Sequence, residues 1–197
     1  MVLVLDLDGV VVLGHPEGGR WDKHLARDLG IEPQRLQERF FTPHFQKIVT
    51  GETRLTDVLA ACWPELECRS SPQELIGYWF ANDSRLNTEV LEIVDRWRAD
   101  GRRAFLGTVQ EHERARHVWD VLGLSRHFDG ILYSAELRAT KPKPEFFQRA
   151  QERLGCSPGE VIFLDDMPKN VEAARAHGWN AHLYRHAEDV RSALGQT

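Results

Sequence analysis

At 197 residues with 42% hydrophobic side chains, the chain is long enough to bury one sizeable core and to carry a small accessory lobe. A net charge of -5, with acids and bases interspersed, leaves no basic footprint, so no nucleic-acid partner is expected. Three cysteines, Cys62, Cys68 and Cys156, with no CxxC pair, argue against a disulfide framework or a zinc site, and a reducing cytoplasm is the expected compartment.

In chain order, Val2-Leu3-Val4-Leu5 is a continuous apolar, β-branched run of the kind found in a parallel strand covered on both faces. The apolar opening is far shorter than the ~20 residues a membrane span requires and has no basic leader. A buried strand and no membrane partner are therefore expected. The strand runs into Asp6-Leu7-Asp8-Gly9-Val10. From 14 to 85 the periodicity is helical, with no convincing strand, which predicts an inserted helical lobe. Residues 14–19 form its way in and 82–85 its way out, and the core is made of 1–13 and 86–197. Further strands are predicted at 103–107, 130–133, 161–164 and 181–184, and helices at 88–100, 111–122, 144–154 and 169–177. This alternation implies an α/β fold, a doubly wound parallel sheet with right-handed crossovers, whose ligands sit at the carboxyl ends of the strands.

The residues at those ends carry the chemistry. Asp6 and Asp8 follow the first strand, Thr108 ends the second, Lys141 lies in Thr140-Lys141-Pro142-Lys143-Pro144, and Asp165-Asp166 ends the fourth. Taken alone, two acids two residues apart could be a solvated turn. Four carboxylates gathered in one cleft, however, repel one another and raise each other's pKa unless cations compensate. Lys141 and a hard divalent ion supply that compensation, and magnesium favours a few carboxylate or carbonyl oxygens together with a substrate phosphate. A carboxylate beside such an ion can attack phosphorus, with Thr108 and Lys141 positioning and stabilising the transferred group.

Asp6-Leu7-Asp8-Gly9-Val10, Thr108, Lys141-Pro142, and Asp165-Asp166 with Asn170 resemble, in order and spacing, the four motifs of the haloacid dehalogenase superfamily. The resemblance covers the core and leaves the helical insertion uncovered. It implies a Rossmann-like core with a helical cap inserted after the first motif, in the phosphatase and phosphoglucomutase branch. The activity it implies is a magnesium-dependent phosphatase acting on a small-molecule phosphate ester through an aspartyl phosphate. Asp6 would be the nucleophile and a magnesium ligand. Asp8 would be the acid and base, its backbone carbonyl also on the metal. Thr108, Lys141 and the backbone N–H of Val109 would hold the phosphoryl group. Asp166 would bind the metal and Asp165 would support it directly or through water, with Gly9 and Asn170 as supporting residues, Asn170 orienting the loop. An acid at position 8 favours phosphate esters over dehalogenation. Val109 departs from the polar residue common there, which loosens the substrate assignment. A phosphomutase of the same superfamily, a phospho-accepting receiver and a non-catalytic phosphate-binding module are the alternatives; substrate and oligomeric state stay open.

Other features are set aside. His112 and His117 stand five apart, about 140° round a helix, and so do not form a zinc face. His182 and His186 are read as solvated or packed, and Lys143 as a solvated neighbour of Lys141. In the lobe, Trp21, Phe40, Phe41, Phe45, Trp63, Trp79 and Phe80 are expected mainly as core, with a substrate pocket as the rival use. His15, Arg20, His24 and Lys47 are expected on a solvated face, with contact to the leaving group as the rival.

Overall fold

The computed structural model describes residues 1–195. β1 (Val2–Leu5) is buried along its whole length. It is followed at once by one tight turn in which Val11 and Val12 both donate to the Leu7 carbonyl at 2.9 and 2.8 Å. The chain then leaves the core for the lobe: α1 (Leu25–Leu29), α2 (Pro33–Leu36), α3 (Thr42–Val49), α4 (Leu55–Cys62) and α5 (Pro72–Asn82). A wide π-type turn, Gln37–Phe41, joins α2 to α3 just before Pro43, whose missing N–H interrupts the regular ladder. α5 opens on a capping box, Ser71 accepting from the Glu74 N–H and Glu74 from the Ser71 N–H.

The lobe has its own apolar centre, with Leu25, Ile31, Leu36, Phe40, Leu55 and Leu59 all essentially inaccessible to water. Its way in and way out run side by side: Leu13 donates to the Arg85 carbonyl at 2.8 Å, and Ser84 and Arg85 donate to the Gly14 carbonyl. The two crossing segments also pair at Val12 and Leu86 in antiparallel sense.

Back in the core come α6 (Thr88–Ala99), β2 (Arg103–Thr108), α7 (His112–Arg116), β3 (Gly130–Tyr133), α8 (Ser134–Leu137), α9 (Pro144–Leu154), β4 (Val161–Asp165), α10 (Pro168–Ala176), β5 (Asn180–Leu183) and α11 (Ala187–Ala193). The five strands form one parallel sheet in the order β3-β2-β1-β4-β5. Alternation along β1 divides the core: Leu3 and Leu5 pack with Val90, Val94 and Trp97 of α6, whereas Val2 and Val4 face the layer of Phe146, Phe147 and Trp179. Fully burying side chains of this size is worth about 1.5–3 kcal/mol each, which fixes both the strand order and the helix faces.

The predicted strands are all present, with two ends extended to Thr108 and Asp165 and the last strand one residue earlier than read. The helix read over 111–122 is a short α-helix capped by the Glu111 carboxylate and continued by a π-type turn, His117–Val121. The short helices α8 and α11 were not legible, because four and seven residues are too few to show a helical period.

Candidate active site

Register places the acids. Leu5 pairs with Leu106 on one side and Leu164 on the other. One residue further on, Asp6 donates its N–H to the Leu164 carbonyl at 2.9 Å and stands beside Asp165 at the carboxyl end of the sheet. The strand order reverses direction beside β1, and the crevice there is where an open α/β sheet accepts ligands.

Lys141 is the pivot. Its ammonium, buried between two acids, lies 2.9 Å from Asp6 Oδ1 and 2.5 Å from Asp165 Oδ2 and donates to the Gly107 carbonyl at 2.7 Å. Asp6 and Asp165 hold it protonated against the cost of burial. Asp165 has both oxygens occupied: Oδ1 accepts from Met167 N–H at 2.8 Å and Asn170 Nδ2 at 2.9 Å, and Oδ2 accepts from Asn170 at 3.0 Å as well as from Lys141. Asn170 thereby ties the start of α10 to the lysine. Asp6 Oδ1 takes the Leu7 N–H at 2.7 Å besides the lysine, and Oδ2 accepts no hydrogen bond. Burial pushes the Asp6 carboxyl up to about 7, with Lys141 opposing and Asp165 and Asp8 adding to the rise.

Asp8 sits within the tight turn, open to the cavity, with desolvation of its carboxyl there and the nearby Asp83 pushing it up to about 6. Its Oδ2 accepts from Gln110 Nε2 at 2.5 Å. Gly9 has φ +84°, and a Cβ there would come within 2.5 Å of Asp166 Oδ2, so the turn needs a residue without one. Thr108 is 1% exposed, and its hydroxyl has no partner in the protein. Unlike Asp165, Asp166 is exposed at the mouth, its pKa raised by partial burial and by Asp165.

Asp6, Asp8, Thr108, Val109, Lys141, Asp166 and Asn170 thus line one cavity of about 370 Å³, to which Met167 and Lys169 also contribute. Among the described residues, Asp6, Asp165 and Asp166 are the one acidic trio whose oxygens approach within 4.8 Å of one another. Lys143 is exposed and lies outside this cavity, on the surface between α8 and α9. His117 packs against Phe80 at 5.0 Å and joins no acidic cluster.

Two side chains that sequence reasoning passed over belong to the same neighbourhood. Gln110 holds Asp8, and it could have been suspected only from lying two residues beyond Thr108. Arg114, 1% exposed, donates to the carbonyls of Phe80 and Asp83 and lies 3.3 Å from the Asp83 carboxylate, so a core helix clasps the lobe's last turn. Nothing in the sequence distinguishes Arg114 from a surface charge. His15 corrects an expectation: it is 5% exposed, accepts from the Glu17 N–H and meets His24 edge-on, so it is packed within the lobe's way in and not solvated. The lobe aromatics divide, Phe40 and Phe80 being core while Trp21, Phe41, Phe45 and Trp79 also line a second cavity.

The chain belongs to the haloacid dehalogenase-like hydrolases, whose family model matches residues 1–178. Among curated relatives, fructose-1-phosphate phosphatase YqaB of Escherichia coli (strain K12) is 30% identical over 93 residues, 47% of this chain and 48% of that protein. Bifunctional epoxide hydrolase 2 of Rattus norvegicus is 38% identical over 71 residues, 36% of this chain and 12% of that one. The chain therefore matches less than half the length of either relative. Among solved structures, a HAD family enzyme of Bacteroides thetaiotaomicron superposes with a TM-score of 0.79 at 20% identity, covering 98% of this chain and 97% of that one. The same enzyme is also known in complex with magnesium and inorganic phosphate. The described residues contain no helix long and apolar enough to cross a membrane.

Proposed function

We infer that the chain is a magnesium-dependent phosphatase of a small phosphorylated metabolite, working through a phosphorylated Asp6, with the lobe over 14–85 as its cap. The observation that carries this reading is the orphaned, buried Thr108 hydroxyl facing the same cavity as Asp6, Asp8, Lys141 and Asp166. A buried hydroxyl left without a partner costs about 1–3 kcal/mol, and a phosphoryl oxygen would satisfy it.

The donor set fits a hard divalent ion: an unpartnered carboxylate oxygen on Asp6 and the exposed Asp166 approach one another, and the Asp8 backbone carbonyl would complete the set. When bound, magnesium would offset the negative charge that accumulates on the phosphoryl oxygens. Asp165, saturated by N–H donors, serves instead to hold Lys141 in place. Asp6 attacks phosphorus, and the bond from phosphorus to the leaving oxygen breaks while Asp8 hands that oxygen a proton. Asp8, now a carboxylate, then takes a proton from water, whose oxygen attacks the same phosphorus and releases phosphate and free Asp6. An Asp8 poised near 6 can hold the proton for the first step and accept one for the second. The phosphatase named among the relatives and the magnesium and phosphate complex of the structural neighbour support the same assignment.

Hydrolysis of p-nitrophenyl phosphate is the test. It should depend on Mg²⁺ and be suppressed by excess Ca²⁺, whose longer, more numerous bonds would let Asp6 chelate with both oxygens and lose its line of attack. Full activity in a chelator would overturn the assignment.

A further inference from the structure

The second cavity, about 240 Å³, shares Asp8 and Val109 with the catalytic one, so whatever leaves with the departing oxygen at Asp8 enters it. Its lobe wall is aromatic: Trp21 and Trp79 are stacked 5.4 Å apart, and Phe41 stands edge-on to both at 6.4 and 5.5 Å. Phe45 closes the side, 5.2 Å from Phe41.

The polar groups on its margin already have partners. Gln110 donates to Asp8, Asp83 faces Arg114, Gln37 donates to Thr42 Oγ1, and Arg20, 77% exposed at the rim, is paired with Asp22. An alcohol with several hydroxyls would have to draw these groups from their partners or leave its own hydroxyls unmatched against the rings, whereas an apolar body loses nothing there. Volume narrows the choice again. A dry cavity of about 150 Å³ holds a benzene molecule, so this one suits a single ring with a short arm and not a nucleoside or a disaccharide. Four rings would also suit a quaternary ammonium group, but Arg20 stands at the rim and the one nearby acid besides Asp8, Asp83, is matched by Arg114.

Resting on the phosphatase reading above, we propose that the preferred substrates are phosphate monoesters of compact apolar alcohols, whose ring-sized body fills the chamber between Trp21, Phe41, Phe45 and Trp79. No extra chemical step is involved, because the chamber binds the group that Asp8 protonates.

The test compares esters of primary alcohols, so that leaving-group acidity does not decide the outcome: benzyl phosphate against glycerol 3-phosphate, glucose 6-phosphate and choline phosphate, each with Mg²⁺. Burial of the ring predicts a kcat/KM for benzyl phosphate about 30-fold or more above each of the others. Benzylphosphonate should likewise inhibit competitively at concentrations about tenfold or more below those needed for methylphosphonate. Phe45→Ala, which removes one wall and leaves the lobe's central residues in place, should reduce the preference for benzyl over methyl phosphate by about tenfold. Faster turnover of glycerol, sugar or choline phosphate than of benzyl phosphate would overturn the proposal and leave the phosphatase reading standing. Hydrolysis of none of the esters, p-nitrophenyl phosphate included, would overturn both. Equal inhibition by the two phosphonates, or an unchanged benzyl preference in Phe45→Ala, would remove the chamber from substrate selection.

Discussion

The crevice at the sheet ends and the chamber in the lobe are built on opposite principles. In the crevice Lys141 and Asp165 are held by fixed partners, while Thr108 Oγ1, Asn170 Oδ1 and Asp6 Oδ2 have none, and the hydroxyl and the free Asp6 oxygen mark where a ligand belongs. In the chamber the walls are rings held by packing, and the margin's polar side chains are each engaged with a neighbouring residue. Hydrogen bonds and charges have direction, so a crevice made of them dictates which chemistry occurs. Packed rings set only size and polarity, so a chamber made of them selects among substrates that undergo the same chemistry.

The largest effect should come from the crevice. Asp6→Asn removes the proposed nucleophile and should bring turnover below detection, while circular dichroism should show the fold retained; rates near those of the unaltered protein would disprove the assignment. The same change should stabilise the protein in chelator. Asp6 sits at about 7 in the fold against an ordinary 3.8, so between those values the folded state holds a proton that the unfolded chain has released. Stability from this group therefore falls as pH rises through that window. At pH 8 Asp6→Asn should melt about 5 °C higher than the unaltered protein, the gap closing toward pH 4, since Lys141 retains Asp165 as its counter-charge.

Next is Asp8, where crevice and chamber meet. Asp8→Asn should cost about 10²- to 10⁴-fold on benzyl or other alkyl phosphates. With p-nitrophenyl phosphate, whose leaving group departs without a proton, phosphorylation should outlast hydrolysis, giving a burst of nitrophenolate and a protein heavier by one phosphoryl group. Equal losses on both substrates with no added mass would remove Asp8 from the acid and base role.

The clasp between the two regions comes third. Arg114→Met leaves the half-buried Asp83 without its counter-charge and strips the Phe80 and Asp83 carbonyls of their donor, and should cost about 1–3 kcal/mol in chemical denaturation. The other bridge from core to lobe, Arg54 with Glu113 at 3.9 Å, has its arginine 71% exposed, and Arg54→Met should cost less than about 0.5 kcal/mol. Equal costs would mean that the buried clasp contributes nothing particular to the junction. Smallest of all, Lys143→Ala should change kcat/KM less than about twofold, while Lys141→Ala should lower it by about 10²- to 10³-fold. A comparable loss in both would show that the lysine has been chosen wrongly.

The core was legible because its signals are local. A short, β-branched, continuous apolar run such as Val2–Leu5 suits a doubly covered strand, and chemistry-bearing residues placed after several such runs converge once the strands lie parallel. Lys141 and Asp165 stand out by residue type and by position after a strand or turn. What could not be read is their division of labour: Asp165 and Asp166 are neighbours of one kind in the sequence, yet one is buried under three donor groups, from Met167, Asn170 and Lys141, and the other faces the cavity.

Sequence alone determined the α/β class, the strand positions to within a residue, the acidic and basic groups at the strand ends, and the extent of the helical insertion as an expectation. These follow from period, length and residue type, which act over a few neighbouring positions. Only the tertiary structure decided that Gln110 reaches back to Asp8, that Arg114 is swallowed by the lobe's last turn, that His15 is packed away from water, and that Trp21 and Trp79, 58 positions apart, stack into one wall. Such contacts join residues far apart along the chain, and a side chain's partner and its loss of water are settled by how whole elements pack, which no local pattern encodes.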